Sequence, residues 1–399
     1  MKINIWYLFL LALLSCNKNS FDSNTSRFFP YNSSESSLFS TDKDLFISWT
    51  EQEEDSNYLY MSKLNGSSWS DKKIVAKGTD WFVNWADFPS ISVNETSQSI
   101  FTYHLPKSSE ETFSYDINYH FNKNGRWYDM DKIHDDNTLS EHGFVSSVPY
   151  KDGFIVSWLD GRNTYGKGDH GHAKGAMTLR SAVIGSDGNV EKRSLVDDMV
   201  CDCCQTSMTV SQGIPIVVYR DRTKGEIRDI SFSRYIDQKW TEPQPIHEDG
   251  WQINGCPVNG PNIDSFGDNV VVSWFSASKG RPKVNLKFSS DSGRTYGDKI
   301  LLDDIKNSPI GRVDVEFISE DEVLVSWLSS VDGNGQLLLR KIKSNGDIGP
   351  IKVIDQISTE RSTGFPQIEE FNDNIYISWT DNSESNKRIK MTKIPLSDI

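Results

Sequence analysis

The sequence predicts an all-β protein, a β-propeller of seven four-stranded antiparallel blades (six as the alternative count), closed into a ring by an N-terminal strand. Three observations predict it. An apolar run ending in an aromatic residue recurs at Trp49, Tyr103, Trp158, Tyr219, Trp274, Trp327 and Trp379, in steps of 52 to 61 residues along the 399-residue chain. Each repeat holds further short apolar runs separated by Gly, Asn and Asp turns, while helical periodicity is absent, so a repeat reads as strands A to D. No linker separates the repeats, and tandem units of this size build blades whose closure removes most free sheet edges.

Taken from the N-terminus, residues 1–15 read as a secretory signal peptide, an apolar stretch too short to span a bilayer. It ends in Leu13-Leu14-Ser15-Cys16, which resembles the lipobox of bacterial lipoproteins. The resemblance implies that Cys16 is acylated, and the alternative is an ordinary cleaved signal. The polar residues 16–26 suit a flexible tether, leaving 27–399 as one propeller domain. The expected location is the bacterial cell envelope, facing periplasm or cell exterior, with the lipid anchor as the only membrane contact. The last repeat supplies strands A, B and C at 365–369, 375–379 and 388–394 and then stops. Arg27-Phe28-Phe29-Pro30-Tyr31 has no other partner and is expected to pair there.

The net charge of −14, from 42 basic and 56 acidic side chains, argues against a nucleic-acid footprint, which needs clustered Lys and Arg. The expected state is a monomer. Apart from Cys16 the cysteines are Cys201, Cys203, Cys204 and Cys256, an even number in a compartment that permits disulfides.

In the fifth repeat, strand C ends in Ser289-Ser290-Asp291-Ser292-Gly293-Arg294-Thr295-Tyr296, which resembles the Asp box of sialidases and other BNR-repeat propellers. Weaker echoes stand at Asn65-Gly66, Asn124-Gly125, Asp187-Gly188, Asp237 and Asn345-Gly346. Such a box is a C–D turn whose Asp and Ser hold the hairpin. The resemblance implies a sialidase-like propeller and, at the level of activity, an exo-sialidase with an arginine triad, a Tyr/Glu nucleophile pair and an Asp acid. The nearest counterpart of its Arg-Ile-Pro opening is Arg27-Phe28-Phe29-Pro30, one residue longer, and the sequence places no Tyr/Glu pair.

In an A-B-C-D blade the A–B and C–D turns lie at one end, and the B–C turns and the D–A links lie at the other. Unusual residues gather at the second end, where the innermost A strands begin. Arg162, Arg220, Arg222, Arg312 and Arg361 have the guanidinium shape that grips a carboxylate or sulfate. Trp81, Trp85 and Trp251 would stack on sugar faces, with Asn259 beside them. Hydrolysis of a glycosidic bond needs a proton donor and a partner carboxylate or base, for which Asp87, Asp160 and Asp314 are the acidic choices and His142 the imidazole one. The leading reading is an exported propeller that binds or hydrolyses acidic carbohydrate. A second is a Zn or Cu protein using Cys201, Cys203, Cys204 and Cys256, with His142, His170 and His172 nearby; disulfides or free thiols are the structural alternatives. A third is a binding module without turnover.

Overall fold

The computed structural model describes residues 29–164, 175–304, 306–382 and 386–399. The signal peptide, Cys16, the tether, Arg27, Phe28, His170 and His172 lie outside the described residues. Seven antiparallel sheets follow one another along the chain. Their A strands are Ser33–Ser40, Ile91–Asn94, His142–Tyr150, Ser207–Ser211, Asn262–Phe266, Pro309–Phe317 and Gln367–Glu370. Each A strand packs beside the next, and the first packs against the last, so the sheets form a ring. Strand B lies between A and C in every blade and is covered on both faces by neighbouring blades, which is why it reads as an unbroken apolar run.

The repeated aromatic sits on strand B and is at most 1% exposed in all seven blades. A buried indole also needs an acceptor for its N–H. Trp49 donates to Glu51 (2.7 Å), Trp158 to Asp160 (2.9 Å), Trp274 to Asp249 (2.7 Å) and Trp327 to Asp303 (2.7 Å). Four blades thus carry one device, a Trp tied to a carboxylate. In blade five, the turn after strand C is held as its sequence implies. The Asp291 carboxylate accepts from the Thr295 amide (2.8 Å) and hydroxyl (2.7 Å), and the Ser289 hydroxyl accepts from Gly293 N–H (3.0 Å).

The seventh blade has three strands among the described residues, and the N-terminal segment reaches it. Asn32 N–H donates to the Lys387 carbonyl (2.8 Å) and Ile389 N–H to the Ser33 hydroxyl (3.0 Å). From Phe29 to Asn32 the segment runs as bend and turn rather than as ladder strand. Pro30 has no N–H to give a ladder, and Asn32 stands at φ 68°. Phe29 does the closing: it is buried with Trp49, Ile389 and Met391, its ring edge-on to Trp49 at 5.4 Å.

Candidate functional site at the channel mouth

The A strands of all seven blades surround a central cavity of about 540 Å³. At the end carrying the D–A links it is roofed by side chains. The Trp85 ring stacks on Phe365 at 5.9 Å with the planes 8° apart. The Arg312 guanidinium lies 4.8 Å from the Trp85 ring and donates to the carbonyls of Gly364 (3.0 Å) and Glu360 (3.3 Å). Gln205 donates to the Ala86 carbonyl (2.6 Å) and accepts from Gly260 N–H (3.3 Å). Trp85 and Ala86 lead into blade two, whereas Phe365 and Gln205 belong to blades seven and four. The Trp85–Phe365, Trp85–Arg312 and Gln205–Ala86 contacts join blades that are not neighbours in the ring, so they reach over the channel mouth. Backbone geometry supports the arrangement. A bulge at the start of strand A places Glu35, Phe144 and Arg312 at φ 53°, 53° and 56° in blades one, three and six. Left-handed non-glycine residues are costly and persist where the surroundings hold them.

Beside this roof lies a chain of three groups. The Tyr115 hydroxyl is 2.7 Å from Asp87 Oδ2 and 2.9 Å from Glu141 Oε1, and Phe144 N–H donates to Asp87 Oδ1 (2.7 Å). Burial pushes the Asp87 carboxyl up to about 7, against the opposing effect of the Tyr115 and Phe144 hydrogen bonds. Burial, opposed by the Tyr115 hydrogen bond and reinforced by the charges of Asp87, Asp202 and Cys256, pushes Glu141 to about 8. Burial also holds the Tyr115 phenol well above its usual range. Glu141 keeps partial exposure, while Tyr115 has none. A tyrosine–carboxylate pair is therefore present, assembled by the B–C link of blade two and the D–A links into blades two and three.

The cavity below is acidic. Asp87, Asp264, Asp314, Glu316 and Glu369 line it, and no Arg, Lys or His does among the described residues. Asp314 accepts from the Ile368 and Val315 amides (2.8 and 3.0 Å) and is pushed well up by burial. Burial also raises Asp264 to about 6 and Glu369 to about 7.

The other sequence-predicted residues are dispersed. Asp160 is fully buried, holding the Trp158 indole and the Arg162 guanidinium (Nε 2.7 Å); although burial works the other way, Arg162 and His142 keep it ionised. His142 is also fully buried, stacked on His134 at 3.8 Å and bonded to Asp136 (3.1 Å). Arg162 and Arg222 are engaged by acids, Arg222 by Asp202 (3.1 Å) and Glu226 (2.8 Å). Arg220 is 2% exposed, packs over Trp251 at 4.8 Å and donates to the carbonyls of Asn259, Arg228 and Phe275. Asn259 accepts from Arg312 N–H (2.7 Å), and Trp81 lies against His104 at 4.5 Å with the rings tilted by 32°. Of the five arginines, Arg361 is the exposed one, and its charge lowers Arg312 to about 10 on top of the larger effect of burial.

The cysteines do converge. Cys201 Sγ lies 3.6 Å from Cys204 Sγ and 4.0 Å from Cys203 Sγ, and the Cys256 thiol interacts with Cys203. No disulfide joins any two of these four.

No protein-family model matches the chain, and no curated protein matches it. Solved structures do. The polysaccharide lyase Uly1 matches at TM-score 0.53 and 8% identity, over 90% of this chain and 89% of that one. A PL25 ulvan lyase bound to -[GlcA(1-4)Rha3S]- matches at 0.52 and 10%, over 90% and 91%. A Dyadobacter fermentans protein of unknown function matches at 0.52 and 12%, over 77% and 94%. At such identities the likeness is one of fold, and with the blade geometry it makes this chain a seven-bladed β-propeller of four-stranded antiparallel sheets.

Proposed function

We propose that the chain is an exported, lipid-anchored propeller that acts on acidic glycans at the roofed mouth, with Glu141 as the proton donor. The observation that carries this reading is the Glu141–Tyr115–Asp87 chain. A carboxyl at about 8 is protonated at neutral pH, as a general acid requires. At the same end of the ring stand the half-buried Trp85 and Phe365 rings and the exposed Arg361 cation. The ulvan lyase named above holds a uronic acid and a sulfated sugar, and a ligand of that charge suits Arg361 better than the acidic cavity beneath.

The test is turnover and equilibrium binding on sialylated, uronic-acid and sulfated oligosaccharides. Glu141→Gln should lower kcat by about 100-fold or more with binding retained. Arg361→Ala should weaken binding about tenfold. In the parent protein kcat/KM should fall as pH rises through about 8, where Glu141, flanked by Tyr115, Asp87, Asp202 and Cys256, loses its proton. Binding without product would favour the module reading, which the complete burial of Tyr115 supports. Neither binding nor product from any acidic glycan would end both.

A further inference from the structure

The four thiols form a cluster that neither the glycan reading nor the blade architecture uses. Their spacing is informative. A zinc ion bound at about 2.3 Å by tetrahedral thiolates sets its sulfurs about 3.8 Å apart, whereas a disulfide brings them to about 2.0 Å. Cys201 stands 3.6 and 4.0 Å from Cys204 and Cys203, and one sulfur from each of the three lies within 4.8 Å of the others. Cys256, on the link into the adjacent blade, approaches Cys203 and is exposed. Three of the sulfurs thus have the spread of ligands around one ion, with the fourth beside them.

The surroundings suit an anionic centre. Arg228, 1% exposed, donates from Nη1 to Cys201 Sγ (3.2 Å), and the Asn259 amide donates to Cys204 Sγ (3.4 Å). N–H donors of this kind orient thiolate ligands and stabilise their charge. Arg220 is buried as well, and its hydrogen bonds all go to carbonyls, with no carboxylate partner among the described residues. A buried guanidinium calls for an anion. Arg228 is shared with the Glu226 carboxylate (2.8 Å), which leaves Arg220 as the guanidinium whose charge offsets the surplus negative charge of a tetrathiolate centre.

We propose that Cys201, Cys203, Cys204 and Cys256 hold a single thiophilic d10 cation, Zn²⁺ or Cu⁺, that ties the links into blades four and five together at the channel mouth. Thiolate-only donor sets select these ions over the hard cations. The centre is independent of the glycan reading and stands or falls by metal content.

The experiment uses the whole protein purified without chelator, with elemental analysis and thiol mapping, followed by separate titrations of the metal-free protein with Zn²⁺ alone and with Cu⁺ under reductant. One equivalent bound by wild type is expected, and the elemental analysis of the purified protein identifies which ion it holds. Cobalt substitution should give the strong thiolate-to-metal absorption of a tetrahedral site. Cys203→Ser should lower affinity at least tenfold. Cys256→Ser changes an exposed position and keeps the test usable if the first variant fails to fold; it too should weaken binding. A protein that takes up neither ion, one whose cysteines map as disulfides, or metal uptake unchanged in both variants would each overturn the proposal.

Discussion

Replacing Phe29 by alanine should lower the melting temperature by about 5–10 °C, because this side chain closes the ring. Burying a Phe in a packed core is worth about 3–5 kcal/mol against Ala, and a kilocalorie moves the midpoint of a domain this large by about 2 °C. Phe29 is 1% exposed and shares its cluster with Trp49 of blade one and Ile389 and Met391 of blade seven. Its loss opens a cavity at the seam where the first and last blades meet, and leaves residues 29–33 held to the last blade by polar ties such as those at Lys387 and Ile389. Thermal unfolding followed by circular dichroism checks it. A midpoint within 2 °C of wild type would mean the seam is held by strand packing alone.

Raising the pH from 5 to 8 should also destabilise the protein, by on the order of 5 °C or more. Asp87 and Asp314, 2% and 6% exposed, have carboxyls raised by burial, Asp87 to about 7 and Asp314 well above the usual carboxylate range. In the unfolded chain both titrate near 4. Between these limits the folded state binds protons that the unfolded state lacks, so the stabilisation is complete below about 4 and is lost as pH rises through about 7. For Asp87 alone the difference corresponds to about 4 kcal/mol at the upper limit. Asp264, Glu316 and Glu369 act in the same direction more weakly, since each keeps surface open to the cavity and water there offsets part of the burial. Below pH 4 the slope reverses, because Asp116, Asp136 and Asp160 are held below the usual carboxylate range by His134, His142, Lys132 and Arg162. Melting curves across this range should peak near pH 4–5, and Asp87→Asn should flatten the alkaline limb. A midpoint that stays level or rises from pH 5 to 8 would contradict the burial of these acids.

The position of Asp160 shows what local pattern can and cannot carry. Trp158-x-Asp160 repeats Trp49-x-Glu51, and both acids accept their own tryptophan's N–H. These hydrogen bonds tie Asp160, offered by its place in the B–C link as a catalytic acid, to the blade's own packing. Tyr115 was not legible: it lies 28 residues from Asp87 and 26 from Glu141, in a link without periodicity, and only the ring brings the three together. The arginines divide the same way. Whether a guanidinium faces solvent, as Arg361 does, or props up carbonyls, as Arg220 and Arg312 do, depends on which chain segment passes over it.

Sequence alone determined the blade number, the strand order, the hairpin at Asp291 and the end of the ring where unusual residues meet. These follow from spacing, alternation and turn chemistry, which are local. Tertiary structure decided the roof of Trp85, Phe365 and Arg312, the acidity of the cavity, the Glu141–Tyr115–Asp87 chain and the approach of four thiols. Each of these joins residues from different blades, and burial and charge at such points are set by the closure of the ring rather than by neighbours along the chain.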